Sequence, residues 1–374
     1  MSSETTNSIT LTAHCLCKAH TFETEVARSS LPLDATSCHC TSCRRVSGAM
    51  YTSSTLWPGD QAEIQQSPLQ RYAFSKALSI LFCGTCSSSM FWQIPSEGPE
   101  GAVRYKVFTG VLKNHDVPNL VQFSDLMFLG DTLDGGASAW LQRPNQSGVP
   151  AKRWVGQKEE SQEIHDVWPV PEVNAKTALD EIRFHCHCKG VDFVLQNVGR
   201  EYEGKEESDL PWFVTPTLKS IASFDACDSC RLQSGVDVFH WTFSFMRCIA
   251  FPRTSEAPQR NFPALGKDLQ KAVSAQGKDR DPGLGTLACY ASSPDVQRFF
   301  CSRCAACVFY CVDDRPDTVD VAMGLLDAPS GARAEEFVTW AYDKDISWRN
   351  DMVGGWREGH IEAIESGVKA WQGR

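Results

Sequence analysis

Apolar and polar positions along the chain follow a strand-like alternation more often than a helical one. Val103, Tyr105, Val107, Thr109 and Val111 take every second position, the pattern of a half-buried strand. Val319, Val321 and Met323 repeat that phase more than 200 residues later. The stretch Phe239 to Phe245 is aromatic and suits a strand. Helical spacing shows near the end, where Ile361, Ile364, Val368 and Trp371 predict a packing helix. A second short helix is predicted near Lys267 to Ala275. It lies inside a Pro- and Gly-rich stretch, Phe251 to Leu287, that reads as an inserted loop. The fold class predicted is mainly β, with a few short helices.

The pattern is written twice. His14-Cys15-Leu16-Cys17-Lys18 returns as His185-Cys186-His187-Cys188-Lys189. Cys38-His39-Cys40-Thr41-Ser42-Cys43-Arg44, then Ser47-Gly48, returns as Asp225-Ala226-Cys227-Asp228-Ser229-Cys230-Arg231, then Ser234-Gly235. Phe82-Cys83-Gly84-Thr85-Cys86 matches Phe300-Cys301-Ser302-Arg303-Cys304, and Gly110-Val111-Leu112 matches Gly324-Leu325-Leu326. Four landmarks in one order predict a tandem duplication. The expected units are residues 9–141 and 175–374, joined by a linker at 142–174 that holds Pro144, Pro150, Pro169 and Pro171. From Cys43 to Cys83 is 40 residues and from Cys230 to Cys301 is 71, so the second unit carries the insertion at about 251–287.

Length and charge narrow the function. A chain of 374 residues suits two domains. The formal net charge of −10 argues against nucleic acid or an anionic membrane as partner. No run of about 18 apolar residues occurs, and the polar start, Met1 to Thr10, lacks a signal peptide's apolar core. A cytoplasmic, reducing location is expected. There the 17 cysteines are metal ligands more readily than disulfides.

The spacing of those cysteines carries the chemistry. Cys15 and Cys17, with Cys83 and Cys86, supply four thiolates, a closed shell suited to structural zinc. Cys186, Cys188, Cys301 and Cys304 repeat it. A redox dithiol at Cys83/Cys86 would want a thioredoxin-like βαβ context, and none is visible. Cys38, Cys40 and Cys43 are different. Positions i and i+2 of an extended stretch share a face, and Cys43 can join after a turn. Three thiolates leave a fourth position open, the pattern of catalytic zinc; a reduced, metal-free cluster is the alternative. In the second unit, Asp225 with Cys227 and Cys230 either binds metal more weakly or has lapsed into structure. Three to four zinc ions per chain follow. Arg44 and Arg45 either hold a ligand carboxylate or form surface salt bridges. His39, between two ligands, should face away from the metal, in a supporting or exposed position.

The C-x-C, C-H-C-x-x-C-R-R-x-S-G and F-C-x-x-C elements resemble the glutathione-dependent formaldehyde-activating enzyme family, shared with centromere protein V. The resemblance covers most of residues 9–141 and, more loosely, 180–350. It implies two tandem zinc-pinned β-tent domains, structural zinc on Cys15, Cys17, Cys83 and Cys86, and a second zinc on Cys38, Cys40 and Cys43. It implies a carbon–sulfur lyase or S-(hydroxymethyl)glutathione synthase, with glutathione as possible co-substrate. Lys18, Lys189, Ser87 and Ala305 stand where that family usually has glycine. Three functions are therefore carried forward: a zinc lyase on thiol adducts of aldehydes or a related small electrophile, with Cys38, Cys40, Cys43, Arg44 and Arg45 as its working residues; a zinc enzyme repurposed for dehydration or cyclisation of a small metabolite; and a non-catalytic zinc scaffold.

Overall fold

A computed structural model of the chain describes residues 7–96, 102–165, 179–253 and 261–372. The first half runs β1 (Ser8–His14), β2 (Thr21–Ala27), β3 (Leu33–Cys38), α1 (Thr41–Ser47), β4 (Thr52–Leu56), α2 (Gln61–Gln66), β5 (Gln70–Ala73), β6 (Ser79–Phe82), β7 (Ser89–Pro95), β8 (Val103–Phe108), β9 (Val121–Met127) and β10 (Lys152–Arg153). The second runs β11 (Glu181–His185), β12 (Asp192–Gln196), β13 (Ser220–Asp225), α3 (Asp228–Ser234), β14 (Phe239–Phe245), β15 (Ile249–Ala250), α4 (Gly266–Ser274), β16 (Leu287–Ser293), β17 (Val296–Cys301), β18 (Cys307–Val312), β19 (Thr318–Ala322), β20 (Val338–Trp340) and α5 (Trp356–Gln372). The fold is mainly β, as the alternation predicts.

The large sheets share a strand order. One reads β5-β6-β7-β8-β4-β3-β9-β10 and the other β16-β17-β18-β19-β14-β13-β20. In both, the strand entering the central cysteines has an antiparallel neighbour on one side and a parallel one on the other: β4 and β9 flank β3, and β14 and β20 flank β13. A two-stranded sheet, β1-β2, accompanies the first and a three-stranded one, β11-β12-β15, the second.

Two strands stop earlier than alternation suggests. β8 ends at Phe108, and Thr109–Val111 forms a 3-10 turn; β19 ends at Ala322, and Met323–Leu325 does the same. The reason is a seam between the halves. Gly110 N–H donates to Gly235 O and Gly324 N–H donates to Gly48 O, each at 2.9 Å. A Cβ on Gly324 would stand 2.0 Å from Ala49 O, and one on Gly110 would stand 2.4 Å from Gly235 C, so only glycine fits. Thr109 donates to Asp237 across the same seam, and Arg357, of the same half as Asp237, donates both to that carboxylate and across the seam to Thr109 O. One contiguous apolar core spans both halves.

The stretch expected to be a linker is built into the first half over 142–165. Asn145 is buried and exchanges two hydrogen bonds with the backbone of Phe123, and Trp154 Nε1 donates to Asp125 Oδ1 at 2.8 Å. These bonds draw β10 onto β9 despite the Pro- and Gly-rich composition. Residues 166–174 lie outside the described residues. The insertion carries α4, whose Leu269 and Val273 are buried, close to the expected helix. Helix α5 buries Ile361, Ile364 and Val368, and its His360 stacks on Phe123 of the first half at 4.4 Å. Among the described residues no helix is long and apolar enough to cross a membrane.

Candidate metal centres

The two C-x-C and C-x-x-C pairs close into four-cysteine groups. Cys15, Cys17, Cys83 and Cys86 bring all four Sγ atoms within 4.8 Å of one another, and so do Cys186, Cys188, Cys301 and Cys304. Neighbouring sulfurs lie 3.6 Å apart in the first group and 3.5 Å in the second. Sulfurs at about 2.3 Å from a tetrahedral zinc would sit about 3.8 Å apart, so both groups fit the ion. Each C-x-C turn leaves through a left-handed residue, Lys18 (φ 61°) or Lys189 (φ 56°). Each C-x-x-C turn leaves through Ser87 (φ 61°) or Ala305 (φ 65°). These are the four positions where glycine is usual in the resembled family, and the backbone explains that preference.

The central triad stands at a strand-to-helix junction. Cys38 ends β3, Cys40 caps α1 and Cys43 lies in its first turn. Cys40 Sγ accepts the Cys43 N–H at 3.3 Å. The three Sγ atoms lie within 4.8 Å of one another, a group that could hold a metal ion. Hydrogen bonds from the Cys38 and Cys43 thiols hold the Cys40 pKa below its usual value. The shared Ser-Gly has a local cause: Ser47 Oγ bonds back to Cys43 O at 2.9 Å, and Gly48 ends the helix at φ 81°, as Ser234 and Gly235 do for α3.

Three residues near the triad are all buried. His39 is fully buried, stacked on Tyr51 at 5.3 Å, so it is not exposed; burial holds its pKa down near 3. Arg45 is also buried, and the carboxylate it holds at 2.9 Å is that of Asp327 in the other half. Arg45 thus ties α1 to the other half through Asp327. Arg44 is buried too and donates to Thr41 Oγ1 at 3.3 Å, so neither arginine is a surface residue. Lys106, absent from the sequence reading, reaches the site from β8. Its Nζ donates to Thr36 Oγ1 at 3.1 Å, and the Cys38 sulfur is among the charges acting on it.

Residues 10–123 match the model of the glutathione-dependent formaldehyde-activating enzyme family. The matched segment holds the first closed shell and the whole central triad. No curated protein and no solved structure matches the chain.

The second central site is built differently. Asp225 ends β13, Cys227 caps α3, Cys230 lies in its first turn, and their ligand atoms lie within 4.8 Å of one another. They line a cavity of about 710 Å³ whose walls include Trp241, Tyr310 and Arg298. Arg298 is buried, with Nη1 3.6 Å from Cys230 Sγ. Burial disfavours its charge, but the Cys230 and Cys227 sulfurs outweigh that and raise its pKa. Nothing in the sequence marked Arg298, because the register that puts it beside the cysteines exists only in the folded sheet.

Proposed function

We propose that the protein is a zinc-dependent carbon–sulfur lyase-like enzyme acting on thiol adducts of aldehydes, or on a related small electrophile, with its chemistry at Cys38, Cys40 and Cys43. The family match over the segment holding this open three-thiolate group carries the reading. Zinc bound there would supply the charge that keeps a substrate thiol deprotonated. Cys38, Cys40 and Cys43 would hold the ion on one side and leave the other free. Lys106 gives an anionic thiol such as glutathione a cation close to Cys38. Arg44 and Arg45 act as positioning residues that lock α1. The closed shells Cys15/Cys17/Cys83/Cys86 and Cys186/Cys188/Cys301/Cys304 would hold structural zinc.

We read the halves as tandem copies, since their sheets share one strand order and their glycine seam is reciprocal. The test compares two variants. Cys40→Ser should stay folded, lose one zinc, and no longer consume glutathione and formaldehyde together. Cys83→Ser should lose solubility or melt far lower, because that shell joins β-strands distant in sequence. Equal melting losses in the two variants would make the triad structural and refute the enzymatic reading.

A further inference from the structure

The metal reading of the second central site fails a distance test that the closed shells pass. Cys227 and Cys230 bring their sulfurs to 2.6 Å. Two thiolates on one tetrahedral zinc would be about 3.8 Å apart, and the closed shells show 3.5 and 3.6 Å. The Asp225 carboxylate is also engaged, accepting the Cys227 N–H at 2.8 Å. Sulfurs this close in a C-x-x-C pair need only a small further approach to bond to each other.

The surroundings say what would reach them. Cys227 is partly exposed and Cys230 buried, so one sulfur can be attacked or attack while the other waits behind it. The cavity above them is lined by five aspartates, Asp225, Asp295, Asp314, Asp320 and Asp351, against two arginines, Arg298 and Arg315. Arg315 is paired with Asp320, and Arg298 sits against Cys230 and Ser292. Trp212 and Trp348, 61% and 67% exposed, stand at the same cavity, with Trp241 and Tyr310 deeper in. Carboxylates with aromatic faces select organic cations and repel anions.

We propose that Cys227 and Cys230 are a redox-active dithiol that exchanges with small amine-bearing disulfides entering this cavity, and not a metal site. This reading is independent of the chemistry proposed for Cys38, Cys40 and Cys43. The Cys227 thiolate attacks one sulfur of the incoming disulfide. That S–S bond breaks, a mixed disulfide forms on Cys227, and one small thiolate leaves. The Cys230 thiolate then attacks the Cys227 sulfur and expels the second small thiolate. The chain loses two electrons, the small disulfide gains them, and the two protons given up by the cysteines end on the two released thiols. Arg298, with Nη1 3.6 Å from Cys230 Sγ, orients the sulfur that makes the second attack, as a positioning residue.

The test uses the full-length zinc-loaded protein. Reduced protein is exposed to cystamine, a dicationic disulfide, or to glutathione disulfide, which is anionic; it is then alkylated and peptide-mapped while zinc is counted. The expected result is a Cys227–Cys230 disulfide, an unchanged count of three zinc ions, and cystamine faster by about tenfold at low salt, with the ratio shrinking as salt is added. Cys230→Ser should stop at a mixed disulfide on Cys227. Cys40→Ser should lose the glutathione–formaldehyde reaction and keep this one, so the two proposals fail separately. A fourth zinc with both cysteines unreactive would overturn the dithiol. Equal rates for the two disulfides at low salt would overturn the choice of substrate.

Discussion

Removing the carboxylate of Asp237 tests a buried ion pair of the second half that also meets Thr109 of the first half at the seam. Asp237 and Arg357 are 1% and 0% exposed at the side chain, with Arg357 Nε 2.7 Å from Asp237 Oδ1. The second carboxylate oxygen accepts the Thr109 hydroxyl. Asp237→Ala strands a guanidinium in the core, and breaking one side of a buried pair costs about 3–5 kcal/mol. Burial disfavours the Arg357 charge and Asp237 opposes that effect. A guanidinium nonetheless stays protonated across the accessible pH range, so the stranded charge has no outlet and the penalty should be as large at about pH 9 as at about pH 7. Thr109 can still bond Ser53 Oγ, so its hydroxyl adds little to the cost. Urea unfolding followed by tryptophan fluorescence at both pH values reads the effect. The double variant Asp237→Leu/Arg357→Met should recover most of the loss, since it removes both charges and fills the space. A single variant costing under about 1 kcal/mol, or a double variant no better than the single, would refute the account.

Two further perturbations read other parts of the fold. Burial holds His240 neutral, with a pKa near 3, so it adds stability above its unfolded value of about 6.5 that is lost as pH falls. His240→Phe should spare the protein about 2 kcal/mol of the loss between pH 7 and 5, measured by urea unfolding at each pH; an unchanged acid limb would contradict this. Ala305→Gly relieves a left-handed alanine beside Cys304 and should stabilise by about 1 kcal/mol, seen as a higher urea midpoint with zinc content unchanged.

The metal-ready groups were legible because each depends on short, fixed cysteine spacings. Cys15/Cys17 and Cys83/Cys86 come together wherever the strands place them, and the pairing follows from ligand count alone. The β-rich class was legible from alternation, and α4 and α5 from a few apolar positions. The seam was not. Gly110 and Gly324 repeat in sequence, but that each meets Gly235 or Gly48 depends on two sheets being packed together. Residues 142–165 misled for another reason: composition suggested a free connection, while two side chains, Asn145 and Trp154, anchor it by hydrogen bonds. Arg45 shows the same limit, since a cation beside a metal motif can serve either a ligand or the protein's own Asp327.

The reciprocal glycine contacts have a consequence for how the two sites can change. A patch that meets its own equivalent is the form of a two-fold dimer interface. In a dimer of identical chains, every substitution strikes both chambers at once, and a change that helps one chemistry is imposed on the other. Joined in one polypeptide, the paired positions vary independently while the shared seam stays fixed. Cys38 can remain a thiol where Asp225 is a carboxylate, and Lys106 can remain a cation although Asp320 lines the other chamber. Tandem copies in one chain, as proposed above, would separate the freedom to diversify from the requirement to assemble.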